Sequence, residues 1–243
     1  MGEDQRFATP NPLAGATIVF DLDGTLVDTA PDLIGTLNVL LAEEGLTPLP
    51  LAEARPLIGQ GARRMIERGF QAAGVPLEAQ RLEALFARFL IHYRAHLADQ
   101  SRPFPGCVAA LDALRAQGAT LAVCTNKRTD LSVALLSALG LMDRFAAVIG
   151  GDLPPAIKPD PRHLMMAVDA AGGTLARTVM VGDAAPDAGA ARAAGAKLIL
   201  VSFGYTETPV EELAPDLLID HFDELPAACA RLLAACEPRA QTL

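Results

Sequence analysis

The sequence predicts an α/β protein: a parallel sheet covered by helices on both faces, with a block of helices inserted between its first and second strands. Two observations carry this. Through the second half of the chain, short apolar runs alternate with stretches of helical periodicity, the pattern of strands buried on both faces. Before residue 100 a comparable run occurs at "TIVF" (Thr17 to Phe20), and residues 31–100 that follow show no clear strand pattern. At 243 residues and 51% hydrophobic, the chain is long enough to bury a sizeable core.

Taken in order, "TIVF" is the first strand. "PDLIGTLNVLLAEEG" then places Leu33, Ile34, Leu37, Leu40 and Leu41 on one helical face. "GARRMIERGF" is a shorter helix, and "RLEALFARFLIHYRAHL" repeats the pattern with Leu82, Leu85, Phe86 and Phe89. The two prolines and glycine of "SRPFPG" mark a boundary. The alternation follows: strand "ATLAVCTN", helix "DLSVALLSALG" closed by Gly140, strand "FAAVIGGD", then helix "DPRHLMMAVDAAG" with Asp160 as N-cap and Pro161 at its first position. Strand "RTVMVGD", helix "PDAGAARAAG", strand "KLILVSFG", strand "DLLID" and helix "DELPAACARLLAAC" complete the series. The expected organisation is a tail over residues 1–16, an α/β core over 17–30 and 101–243, and a helical cap over 31–100.

Composition narrows the functions. A net charge of −9 leaves no basic stripe for nucleic acid. Cys107, Cys124, Cys229 and Cys236 are too few and too scattered for a disulfide framework or a zinc site, and read as buried free thiols. The first residues carry acids and no apolar segment of the kind a secretory signal needs, and no apolar run is long enough to span a bilayer. Both features lead us to expect a soluble, cytoplasmic protein. Of twenty basic residues only Lys127, Lys158 and Lys197 are lysine, which directs attention to those positions.

In an open parallel sheet, ligands bind beyond the carboxyl ends of the strands. The first strand ends in Asp21-Leu22-Asp23-Gly24-Thr25, the second in Thr125-Asn126-Lys127; a later loop carries Lys158, and "VMVGD" ends in Gly182-Asp183 with Asp187 in the next helical turn. Acids clustered at strand ends repel unless a cation compensates. Oxygen ligands without His or Cys suit Mg²⁺. A divalent cation, a lysine, a threonine hydroxyl and exposed backbone N–H groups together suit a phosphoryl group. Asp21 and Asp23 face the same side of an extended chain, while Gly24 lets the chain turn and aim them differently.

In this order and spacing, "DLDGTLVDT", "TNK", "IKPDP" and "VGDAAPD" resemble the four motifs of the haloacid dehalogenase-like hydrolase superfamily, over a span from about Thr17 to Leu233. The resemblance implies a Rossmann-like parallel-sheet core with an inserted α-helical cap, and an enzyme acting on a small phosphorylated metabolite. It implies Asp21 as the nucleophile that forms an aspartyl-phosphate, and Asp23 as the acid, then base. It implies Mg²⁺ held by Asp21, the carbonyl of Asp23 and Asp183, with Asp187 close by, touching the metal or one layer behind it. Thr125, the Asn126 N–H and Lys158 would hold the phosphoryl oxygens. Ala184 departs from the pattern, which commonly has Ser or Thr after the metal-binding Asp, and removes a supporting hydrogen bond.

Within the superfamily, "LIGQGARRM", "TNK" and "VIGGD" most resemble phosphoglycolate phosphatases. Asp23 counts against a dehalogenase, and the absence of lysine from residues 31–100 against a phosphonate hydrolase. A phosphomutase keeps both aspartates and stays open, and a phospho-acceptor signalling domain has no need of a lid. The expected reader of a substrate carboxylate is the start of the Gly61 helix, Arg63, Arg64 or Lys127.

Overall fold

The protein is described by a computed structural model that covers residues 11–235. Residues 1–10 of the expected tail, and Cys236, lie outside the described residues. In chain order the elements are β1 (Thr17–Phe20), β2 (Val27–Asp28), α1 (Ala30–Glu43), α2 (Leu51–Ala54), α3 (Ala62–Ala72), α4 (Ala79–His96) and β3 (Arg102–Pro103). There follow α5 (Cys107–Ala116), β4 (Thr120–Thr125), α6 (Thr129–Ala138), β5 (Ala147–Gly150), α7 (Pro161–Ala170), β6 (Thr178–Gly182), α8 (Ala185–Ala194), β7 (Lys197–Val201), β8 (Leu217–Ile219) and α9 (Leu225–Ala234).

Six strands form one parallel sheet in the order β5-β4-β1-β6-β7-β8. Alternation along each strand splits the core in two. Ile18, Phe20, Leu121, Val123, Val179 and Val181 face one side, against Leu111 and Leu114 of α5 and Cys229 and Leu233 of α9. Val19, Ala122, Cys124, Met180 and Leu200 face the other, against Leu164, Ala167 and Val168 of α7 and Ala188 and Ala191 of α8. Each large apolar side chain taken from water contributes about 1.5–3 kcal/mol. Such two-sided burial leaves no exposed position along β1, whose four residues, Thr17 included, are all buried. Cys107, Cys124 and Cys229 are buried and free, and burial pushes each thiol up to about 12. These thiols are inert.

Register levels the strand ends. Phe20 aligns with Val123 and with Val181, so Asp21, Thr125 and Asp183 all emerge at one edge. That edge is a switch point: from β1 the sheet is extended through β4 and β5 on one side, and through β6, β7 and β8 on the other.

Between β1 and β4 the helices pack on one another, with Leu33, Ile34, Leu37, Leu40 and Leu41 of α1 buried as their spacing predicts. On α4, Leu85, Phe86 and Phe89 are buried and the stripe runs on to Tyr93, whereas Leu82 is only half-buried. The antiparallel pair β2 and β3 carries the chain out to these helices and back. Four elements escaped the sequence reading: β2, β3, the one-turn helix α2 and helix α5. The β2–β3 ribbon is too short to show a period. Helix α5 does have one, since Cys107, Ala110, Leu111 and Leu114 are buried at helical spacing, but it sits directly behind the prolines of the boundary.

Candidate active site

The two aspartates after β1 do not share one environment; each has its own lysine. Asp21, 7% exposed, lies 3.0 Å from the Lys158 Nζ and accepts a 2.7 Å hydrogen bond from the Leu22 N–H. Asp23 turns elsewhere. The Lys127 Nζ donates to its Oδ1 and Oδ2 at 3.0 and 3.2 Å, and the Thr29 hydroxyl donates to Oδ1 at 2.8 Å. Gly24 makes the divergence possible with φ +83°, and a Cβ there would stand 2.6 Å from Asp183 Oδ2.

Asp183 accepts from the Thr25 hydroxyl at 2.9 Å and from the Tyr205 N–H at 2.8 Å. Asp187 reaches back to the start of its helix, accepting from the N–H groups of Asp183 and Ala184 at 3.1 Å each, and its other oxygen lies 2.7 Å from the Lys158 Nζ. One oxygen each from Asp21, Asp183 and Asp187 lies within 4.8 Å of the others. Three buried carboxylates against one lysine leave an excess of negative charge. Its effect is visible in both acids that flank Asp187. Burial, then Asp187 and Asp23, push Asp21 up to about 6 against the pull of Lys158. Burial, Asp187 and Asp21 hold Asp183 well above the usual carboxylate range. Burial disfavours the Lys158 ammonium, but Asp187 and Asp21 outweigh it and keep the amine charged. An all-oxygen donor set with unbalanced negative charge fits a hard divalent cation. The cluster can hold a metal.

Lys158 is held from several directions. Its N–H donates to Asn126 Oδ1 at 3.0 Å and to His163 Nδ1 at 3.3 Å, and its carbonyl accepts from Asn126 Nδ2 at 3.2 Å. Asn126 Nδ2 also reaches the Gly59 carbonyl, ahead of α3, at 3.3 Å. His163, fully buried on α7, pairs its Nε2 with the Ile149 carbonyl at 3.1 Å. Burial, with Lys158 beside it, depresses His163 to about 4, so the ring is neutral and its proton sits on Nε2. The sequence reading assigned His163, Thr25, Thr29, Tyr93 and Tyr205 no chemistry. His163 offered a signal in its closeness to Lys158; Tyr205 offered none, being far along the chain from Asp183.

A cavity of about 320 Å³ opens between the sheet edge and the helices. Asp21, Asp23, Thr125, Asn126 and Lys127 line its floor; Gly61, Arg63, Met65, Phe86, Phe89 and Tyr93 line the opposite wall. Arg63 pairs with Glu83 at 2.7 Å and lies over the Phe86 ring, 3.7 Å from its centre. Arg64 pairs with Glu67 at 2.5 Å and is not among the lining residues, unlike the other positions expected to read the substrate.

An open parallel sheet with a carboxylate cluster and a buried lysine at its switch point, faced by a helical insertion, defines a class of α/β hydrolases. The haloacid dehalogenase-like hydrolase family model matches residues 16–195. The phosphoglycolate phosphatase of Caulobacter vibrioides is 56% identical over 94% of this chain and 97% of its own. That of Agrobacterium fabrum is 47% identical over 93% and 97%. Among solved structures, a predicted phosphoglycolate phosphatase from Haemophilus somnus superimposes with a TM-score of 0.81 at 30% identity, over 89% of this chain and 98% of that one. The chain belongs to the haloacid dehalogenase-like hydrolases. Among the described residues, no helix is long and apolar enough to cross a membrane.

Proposed function

We propose that the protein is a Mg²⁺-dependent phosphomonoester hydrolase that converts 2-phosphoglycolate to glycolate and phosphate through an aspartyl-phosphate on Asp21. The observation that carries this is the placement of Asp21 against Lys158 and Asp183 at the sheet edge, with Asp21 lining the cavity between sheet and helices. The names of its full-length relatives support the substrate. Asp21, the Asp23 carbonyl and Asp183 would hold Mg²⁺, which when bound offsets the charge of the phosphoryl oxygens. Asp187 fixes the start of α8 and Lys158, and stands beside that set.

An Asp21 oxygen attacks phosphorus while the bond from phosphorus to the glycolate oxygen breaks. Asp23 gives that oxygen its proton, then takes one from the water that splits the aspartyl-phosphate, releasing phosphate and freeing Asp21. Thr125, the Asn126 N–H and Lys158 hold the phosphoryl oxygens. Residues 31–100 act as the lid and read the organic end of the substrate.

The start of α3 at Gly61 and the guanidinium of Arg63 receive the carboxylate. An exposed pair such as Arg63–Glu83 contributes little, so the substrate can displace Glu83. Phosphate release from a panel of phosphomonoesters tests the reading, with phosphoglycolate expected to give the highest kcat/KM. Arg63→Ala is expected to raise KM for phosphoglycolate by about tenfold or more, with little change for p-nitrophenyl phosphate. Arg64→Ala is expected to change neither by more than about twofold. A wild type that prefers uncharged sugar phosphates would remove the phosphoglycolate assignment and leave the phosphatase.

A further inference from the structure

Helix α4 sends one side chain to the chemical centre. Tyr93 is 1% exposed, and its ring stacks on Phe89 with centres 5.6 Å apart and planes 19° from parallel. So pinned, its hydroxyl accepts from the Lys127 Nζ at 2.8 Å. The same nitrogen donates to both Asp23 oxygens at 3.0 and 3.2 Å. The ammonium thus bridges the Asp23 carboxylate and the Tyr93 hydroxyl. Lys127, one of the candidate readers of a substrate carboxylate, is engaged with these two partners in the structure.

We propose that Tyr93, acting through Lys127, is a positioning residue for Asp23, so that the helical insertion sets the aim of the acid–base carboxylate as well as enclosing the substrate. This rests on the acid–base role proposed for Asp23 above. The geometry favours it over a structural contact in one respect. Asp23 is gripped on one side by Thr29, at the entry to α1, and on the other by Lys127 of the core, which Tyr93 of the helical insertion holds in turn. A carboxylate that must meet a leaving oxygen needs its direction fixed within tens of degrees.

The test compares kcat/KM, which reports the phosphoryl-transfer step, for three substrates. Phosphoglycolate has an alkoxide leaving group and a carboxylate, ethyl phosphate an alkoxide and no carboxylate, and p-nitrophenyl phosphate a leaving group that needs no proton. General acid catalysis supplies ~10²–10⁴-fold, so misdirecting the acid in Tyr93→Phe is expected to cost about tenfold on both alkyl esters, and far less on p-nitrophenyl phosphate. Lys127→Met should show the same pattern more strongly. Thermal unfolding of each variant checks that it is folded. Equal losses on all three substrates would mean a structural role, loss on phosphoglycolate alone a specificity role, and no loss no role; each overturns the proposal. A wild type that releases phosphate from none of the three would remove the phosphatase reading itself, and this inference with it.

Discussion

At the scale of the residue, Asn126 shows how much one side chain can hold. Its amide satisfies both the N–H and the carbonyl of Lys158 and touches the Gly59 carbonyl, joining the loop after β4, the loop after β5 and the approach to α3. The sequence reading gave Asn126 only its backbone N–H as a phosphate donor. The side chain's three bonds became visible with the fold, because Lys158 and Gly59 are remote in the chain. Truncating it leaves the Lys158 carbonyl short of a partner and the Lys158 N–H with His163 Nδ1 alone. Asn126→Ala is therefore expected to destabilise the protein by about 1–3 kcal/mol and to lower kcat/KM by about tenfold as the Lys158 ammonium loses its fixed position. Urea unfolding beside phosphate-release kinetics measures both. Unchanged kinetics in a destabilised variant would show that the Lys158 loop keeps its place without Asn126.

At the scale of the element, the crossing between sheet and helices depends on a buried acid. Asp32, in the first turn of α1, accepts from the Gln100 N–H at 3.0 Å, the Ser101 N–H at 2.7 Å and the Ser101 hydroxyl at 2.6 Å. It ties the outgoing chain to the returning one beside the β2–β3 ribbon. Asp32→Ala strands the Ser101 donors in a buried site. A loss of about 2–4 kcal/mol is expected, read as a lower urea midpoint with an unchanged slope. The helices themselves were legible because an apolar stripe repeats every turn. Their junction was not, since a two-residue strand has no period and the partners of Asp32 lie at the far end of the insertion.

At the scale of the molecule, the carboxylate cluster links stability to pH and to the cation. Asp21 is raised to about 6 from an ordinary 3.8, and Asp183 is raised with it. A folded-state acid whose pKa is raised binds its proton more tightly than the unfolded chain does. Its contribution is present at low pH and is lost as pH rises through about 6. The Mg²⁺ proposed for this cluster would compete with those protons and compensate the same charge. Adding ~5 mM Mg²⁺ is therefore expected to raise Tm by about 5 °C near pH 7.5 and by much less near pH 5. Ca²⁺ should support catalysis poorly, because it takes more ligands in looser geometry. Equal thermal shifts at the two pH values would argue that the cation binds elsewhere.

What the sequence determined by itself is whatever is local or periodic. Apolar runs mark β1, β4, β6 and β7; spacing marks the faces of α1 and α4; and Asp160 caps α7 through the Arg162 N–H at 2.9 Å as its position predicts. Asp21, Asp23 and Asp183 could be placed at one sheet edge because they follow strands, and Lys158 in the loop behind β5. The tertiary structure decided how those positions are wired: Lys158 to Asp21 and Asp187, Lys127 to Asp23 and Tyr93, Asn126 and His163 to the Lys158 backbone. Such pairings depend on which side chains the packing of separate elements brings within hydrogen-bond reach. That is a property of the folded distances, and no spacing along the chain encodes it.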